Sequence, residues 1–216
     1  MIKAIIFDMD GVLIDSEPYY QKVLLKCLHH FNIHASTYDL LDLAGGTTQH
    51  YDSVIDPLLK DHVSRDTFDE YCHQYYIDFP VDYPQLLFSH IQELLETLNQ
   101  KGYRLVIASS SKKYEIENVL QQCQLKQYFE FIMSGDMFVE SKPNPEIYIT
   151  CVKKLGLETK ECVAIEDSEY GITAAKDAGL ICIARKDERF GYNQDRADYL
   201  IHESLDILPI IHELDQ

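Results

Sequence analysis

Two acidic pairs in this chain each follow directly on an apolar run: Phe7-Asp8-Met9-Asp10-Gly11-Val12-Leu13 near the start, and Ile165-Glu166-Asp167-Ser168-Glu169-Tyr170-Gly171 further on. Carboxylates at the edge of a buried strand are costly in isolation, so such pairs point to a bound cation, a proton-transfer role, or both. The plainer reading of Asp8 and Asp10 is a solvated loop closed by a glycine turn. For the second pair it is a helix N-cap at Asp167 or Ser168. Two more clusters share the setting. Ala108-Ser109-Ser110-Ser111-Lys112 ends an apolar run and opens a helical pattern, so its hydroxyls and free N–H groups can hold an oxyanion or simply cap the helix. Ser141-Lys142-Pro143-Asn144-Pro145 sets a lysine before a proline-marked helix start, where it can neutralise a phosphoryl oxygen as a point charge or stand as an ordinary surface lysine.

The elements that must position these residues are legible as two alternating patterns. Apolar runs at 4–7, 105–108, 129–133, 162–165 and 180–184 lack the alternation of a half-exposed strand and predict strands covered on both faces. Between them, helical spacing links Ile91, Leu94, Leu95 and Leu98; Ile116, Val119 and Leu120; Ile147, Ile149, Val152 and Leu155; and Ile172, Ala175 and Ala178. Strand and helix in alternation predict an α/β fold, a doubly wound parallel sheet of Rossmann-like form. Residues 199–216 read as a short strand and a closing helix without chemistry of their own.

The rhythm breaks after the first strand. Residues 14–84 have helical apolar spacing, with Pro18 suited to a helix start, Gly45-Gly46 to a sharp bend, and Pro80 with Pro84 to a return linker. They predict an inserted all-helical cap domain, with 1–13 and 85–216 forming the α/β core. An insertion at the carboxyl end of a strand lies over the crevice where open α/β sheets bind ligands, and is placed to open and close as a lid. All four clusters fall at carboxyl ends of proposed parallel strands, so they converge on that crevice. A serine, a lysine and two acidic pairs without excess positive charge call for a divalent cation, and hard oxygen ligands favour Mg²⁺.

Composition bounds the partners. A formal net charge of -17 argues against nucleic acid and anionic membranes, yet leaves room for a small anion held by a few local donors. No uncharged apolar run approaches the roughly 20 residues of a membrane span, and Asp8 interrupts any signal-peptide core, which predicts a cytoplasmic protein. The six cysteines show no paired metal-ligand spacing and read as reduced thiols. A monomer is the default expectation.

The motifs in order, Asp8-Met9-Asp10-Gly11-Val12-Leu13 with Asp15-Ser16-Glu17-Pro18, then Ser141-Lys142-Pro143-Asn144-Pro145, then Glu166-Asp167-Ser168 with Gly171, resemble those of the haloacid dehalogenase superfamily across essentially the whole chain. The resemblance is to the subgroup of β-phosphoglucomutase and related sugar-phosphate phosphatases. It implies that Asp8 is a nucleophile forming an aspartyl-phosphate, while Asp10 protonates the leaving oxygen and then activates water. It implies that Mg²⁺ is held by Asp8, the Asp10 carbonyl and Asp167, with Glu166 a further ligand or an orienting neighbour. Ser109 and the Ser110 N–H would hold phosphoryl oxygens and Lys142 would offset their charge. Tyr20, Gly46, Thr47 and Lys112 are candidates for substrate selection.

An acid at Asp10 favours phosphate-ester chemistry over dehalogenation or phosphonate cleavage, so the resemblance implies a phosphatase for a small phosphorylated metabolite. A β-phosphoglucomutase-type phosphomutase is the alternative. A mutase needs a second, usually basic, phosphate site in the cap, and residues 14–84 offer only Lys22, Lys26, Lys60 and Arg65 against twelve acids. Tyr20 stands where resembling mutases carry histidine, and Gly46-Thr47-Thr48-Gln49-His50 lacks their arginine.

Overall fold

The structure, a computed structural model, describes residues 1–43 and 48–216. They divide into two compact units, Met1–Asp15 with Tyr83–Gln216, and Ser16–Asp82. The junctions thus fall at 15/16 and 82/83, where the sequence patterns place them at 13/14 and 84/85.

In the first unit, strands β1 (Ala4–Phe7), β2 (Arg104–Ser109), β3 (Phe131–Ser134), β4 (Cys162–Glu166), β5 (Ile181–Arg185) and β6 (Tyr199–Ile201) form one sheet in the order β3-β2-β1-β4-β5-β6. Every pairing is parallel. The order reverses beside β1, the switch point where open α/β sheets place their ligand crevice. Helices α5 (Ile91–Gln100), α6 (Lys113–Gln122), α7 (Glu146–Leu155), α8 (Glu169–Asp177) and α9 (Ile207–Leu214) connect and close the sheet. β1 and β4 are buried along their whole length, which explains their uninterrupted apolar runs.

Ala4, Ile6, Val106, Ala108, Ala164 and Cys182 share one core cluster with Ile147, Tyr148, Cys151 and Val152 of α7 and with Ile172 and Ala175 of α8. The buried face of α7 therefore runs through Tyr148, while Ile149, expected on that face, is only half-buried. β3 starts two residues later than the apolar run, because Phe129 closes a short 3₁₀ turn over Lys126–Tyr128.

The second unit holds α1 (Glu17–His30), α2 (Thr48–Leu59) and α3 (Arg65–Asp78), packed around Val23, Cys27, Leu28, Leu40, Ile55 and Phe68. Pro18 lies in the first turn of α1, where its missing N–H costs nothing. The expected return linker is partly helical, with Pro84 inside the short helix α4 (Tyr83–Leu86) of the first unit. All six cysteines are free thiols. No described helix is long and apolar enough to cross a membrane.

Candidate active site

Register builds the site. Phe7 pairs with Ile107 on one side and Ile165 on the other, so Asp8, Ala108 and Glu166 follow on three adjacent strands at one level. The Asp8 N–H extends the ladder by donating to the Ile165 carbonyl at 2.9 Å. Lys142, 6% exposed, reaches this level from the loop before α7. Its ammonium donates to Asp8 Oδ1 at 2.6 Å, to the Ala108 carbonyl at 2.9 Å and to Glu166 Oε1 at 2.6 Å. An ammonium has three protons, and one acceptor from each of three neighbouring strands takes each of them. Burial opposes the charge, but the Asp8 and Glu166 carboxylates outweigh it and hold Lys142 above its ordinary pKa.

Asp8, Glu166 and Asp167 are all buried, and each places one carboxylate oxygen within 4.8 Å of the others. Three carboxylates against one ammonium leave two negative charges in a buried space. The strain is visible at Asp8, where burial pushes the carboxyl up to about 8 against the pull of Lys142, with Glu166 and Asp10 adding to the rise. An all-oxygen donor set with a deficit of two charges suits a hard dication. Gly11 makes room for the third acid: its φ is +75°, and a Cβ there would stand 2.0 Å from Asp167 Oδ2. Gln194, 9% exposed, fixes the backbone behind it by donating to the Asp167 carbonyl at 2.5 Å and the Arg185 carbonyl at 2.7 Å.

Asp10 sits in the tight turn after β1, where Leu13 N–H donates to the Met9 carbonyl and Gly11 N–H to the Ile14 carbonyl, both at 2.8 Å. Asp10 Oδ2 accepts from Ser111 Oγ at 2.7 Å. Ser109, last in β2 and buried, accepts the Ser111 N–H at 3.1 Å. Ser110 is exposed and its hydroxyl accepts from Ser141 at 3.0 Å. Lys112 caps α6 through its backbone, its N–H donating to Glu115 at 2.9 Å while the side chain is exposed. Ser168, not Asp167, is the N-cap of α8, accepting the Gly171 N–H at 3.1 Å.

The structure thus gathers Asp8, Lys142, Glu166 and Asp167, with Asp10 joined to the serine loop through Ser111. Glu166 is committed on both oxygens, to Lys142 and Tyr148 through Oε1 and to the Asp167 N–H at 3.3 Å through Oε2. Tyr20 belongs to the helical unit, where it lines a cavity of about 270 Å³ with Gln21, Cys27, Tyr51, Cys72 and Tyr76. Gly46 and Thr47 lie outside the described residues. Tyr148 and Gln194 are not singled out by spacing, and Ser111 reads only as one member of the serine cluster, without its contact to Asp10. Tyr148 passes for one more apolar helix position, and Gln194 lies in a loop with no local pattern.

A lysine-anchored acidic crevice at the carboxyl edge of a doubly wound parallel sheet marks an enzyme core of the α/β class. Residues 5–185 match the haloacid dehalogenase-like hydrolase family, and the chain belongs to that family. It is 31% identical to hexitol phosphatase B of Escherichia coli over 202 residues, 88% of each chain. It is 29% identical to the phosphorylated carbohydrates phosphatase of Thermotoga maritima over 181 residues, 83% of this chain and 82% of the relative. The β-phosphoglucomutase of Clostridium difficile shares its fold at a TM-score of 0.81 and 24% identity, over 99% of this chain and 97% of that one.

Proposed function

We propose that the chain is a phosphoric monoester hydrolase acting on a small phosphorylated carbohydrate, with Asp8 as nucleophile. The observation that carries this is the three-strand anchoring of Lys142, which places one buried ammonium against Asp8 beside two further acids. Asp8, Asp167 and the Asp10 carbonyl would hold Mg²⁺, whose charge when bound offsets both the acids and an incoming phosphoryl group.

The protein's own groups divide the remaining work. An Asp8 oxygen attacks phosphorus, the bond to the sugar oxygen breaks, and Asp10 gives that oxygen its proton. Water then attacks the phosphorus of the aspartyl-phosphate, Asp10 takes the water's proton, and phosphate leaves as Asp8 is regenerated. The Ser111 hydroxyl steadies Asp10 between these two roles. Ser109 and the Ser110 N–H would receive phosphoryl oxygens as charge moves onto them.

Contacts inside the helical unit favour a phosphatase over a phosphomutase. Arg65 is taken up by Asp52, Asp56 and Asp69 at 2.9, 2.7 and 2.9 Å. Lys26 donates to the Tyr75 hydroxyl at 3.0 Å. Of the four cations that this segment offers to a second phosphate, two are therefore already engaged.

The test is phosphate release from a panel of sugar and hexitol phosphates with Mg²⁺, for wild type and Asp8→Asn. Release by wild type and none by Asp8→Asn is expected. Release surviving in Asp8→Asn removes the nucleophile, and conversion of β-glucose 1-phosphate to glucose 6-phosphate without net release replaces the phosphatase with a mutase.

A further inference from the structure

Tyr148 is fully buried on α7, and the chemistry proposed above gives its phenol no part. Its hydroxyl donates to Glu166 Oε1, the oxygen that also accepts from Lys142 at 2.6 Å. Its ring lies under the same ammonium, with Nζ 5.1 Å from the ring centroid. The second Glu166 oxygen accepts the Asp167 N–H and stands where a Cβ on Gly171 would come within 2.0 Å. Glu166 is thus hemmed in by α7, the Lys142 loop and the backbone of α8.

We propose that Tyr148 is a positioning residue: by filling the second acceptor direction of Glu166 Oε1, it commits Glu166 to Lys142 and so keeps the Lys142 ammonium aimed at Asp8. This rests on the phosphatase reading. A carboxylate oxygen offers two lone-pair directions, and here the ammonium takes one and the phenol the other. Without the hydroxyl, one direction opens in a buried space where Asp8 and Asp167 lie within 4.8 Å. Glu166 can then turn toward the position a dication would hold, and Lys142 loses one of its three anchors.

The experiment compares full-length wild type, Tyr148→Phe, Glu166→Gln and the double variant by steady-state kinetics, Mn²⁺ titration of the metal-free protein and thermal melting. Tyr148→Phe is expected to lower kcat about tenfold with KM within about twofold, since the lost contact acts on the nucleophile's partner and not on substrate binding. Mn²⁺ affinity is expected to rise at least about threefold as Glu166 becomes available to the cation. The double variant should be no slower than Glu166→Gln alone, because the phenol acts only through Glu166.

Unchanged kcat and Mn²⁺ affinity in Tyr148→Phe, or losses that multiply in the double variant, would overturn the assignment. If Tyr148→Phe alone melts below the assay temperature, the double variant decides. Recovery of a folded protein supports the link through Glu166, and equal instability assigns the phenol to packing. An inactive wild type would remove the phosphatase reading, while the Mn²⁺ titration still decides whether Tyr148 governs Glu166.

Discussion

Lys142 spends all three of its protons on Asp8, Glu166 and the Ala108 carbonyl, so it is a fixed charge and not a mobile one. One ammonium cannot neutralise three acids, and Asp8 shows the imbalance: burial raises its carboxyl from 3.8 to about 8 in the metal-free protein. A folded-state value above the unfolded one means that protonation favours the fold. That contribution is complete below 3.8 and is lost as the pH climbs through about 8. Metal-free wild type should therefore lose melting temperature between about pH 5 and pH 8 more steeply than Asp8→Asn, whose amide does not ionise. In a chain of this size each kcal/mol of difference moves the midpoint by roughly 2–4 °C. Adding Mg²⁺ at the upper pH should restore wild type and leave Asp8→Asn unmoved. Parallel pH curves for the two proteins, read by scanning fluorimetry, would mean that Asp8 is not held under this burden.

At the scale of elements, parallel register does the assembling: Asp8, Ala108 and Glu166 each stand one residue beyond an aligned trio of Phe7, Ile107 and Ile165. Helix α8 then has to approach β4 closely, and Gly171 permits it. A Cβ at Gly171 would lie 2.0 Å from Glu166 Oε2, a carboxylate that cannot swing aside because Lys142 and Tyr148 hold its other oxygen. Alanine in a helix interior is ordinarily worth about 1 kcal/mol over glycine. Gly171→Ala should nonetheless lower both the melting temperature and kcat, the latter by about tenfold or more, because the clash is relieved only by moving Glu166. A variant more stable than wild type with full activity would show that Glu166 is free to move.

The same elements mark where a sequence can be read and where it cannot. β1 and β4 are buried end to end, so their apolar runs and the acids that follow announce themselves. The edge of the pattern is harder. Phe129 completes the run ahead of β3 but is used in a turn, and Pro84 suggests a linker but sits in a short helix. Tyr148 illustrates the deeper difficulty. Its ring satisfies the apolar period of α7, while its hydroxyl is committed to a carboxylate 18 residues away. Glu166 likewise has two partners distant in sequence, Lys142 and Tyr148, that no local spacing announces.

At the scale of the molecule, the charge of -17 sets a field that opposes the proposed substrate, a phosphomonoester anion. Local donors act only once the anion is inside. Exposed Lys112 and Lys113, at the start of α6 just beyond the serine loop, are too few to reverse the sign of the whole surface. Salt should then help this enzyme, opposite to an enzyme that steers its substrate by attraction. Raising monovalent salt from about 10 to about 150 mM shrinks the screening length from about 30 to about 8 Å, which hides distant surface acids from an approaching anion. The buried contacts of Lys142 lie inside that distance and are screened far less. At fixed Mg²⁺, kcat/KM for a sugar phosphate should rise several-fold over this range while kcat stays nearly constant, since only the encounter is affected. A fall in kcat/KM with salt would instead reveal an attractive patch at the mouth of the crevice strong enough to overrule the net charge, and would shift the search for substrate-selecting residues onto its lysines.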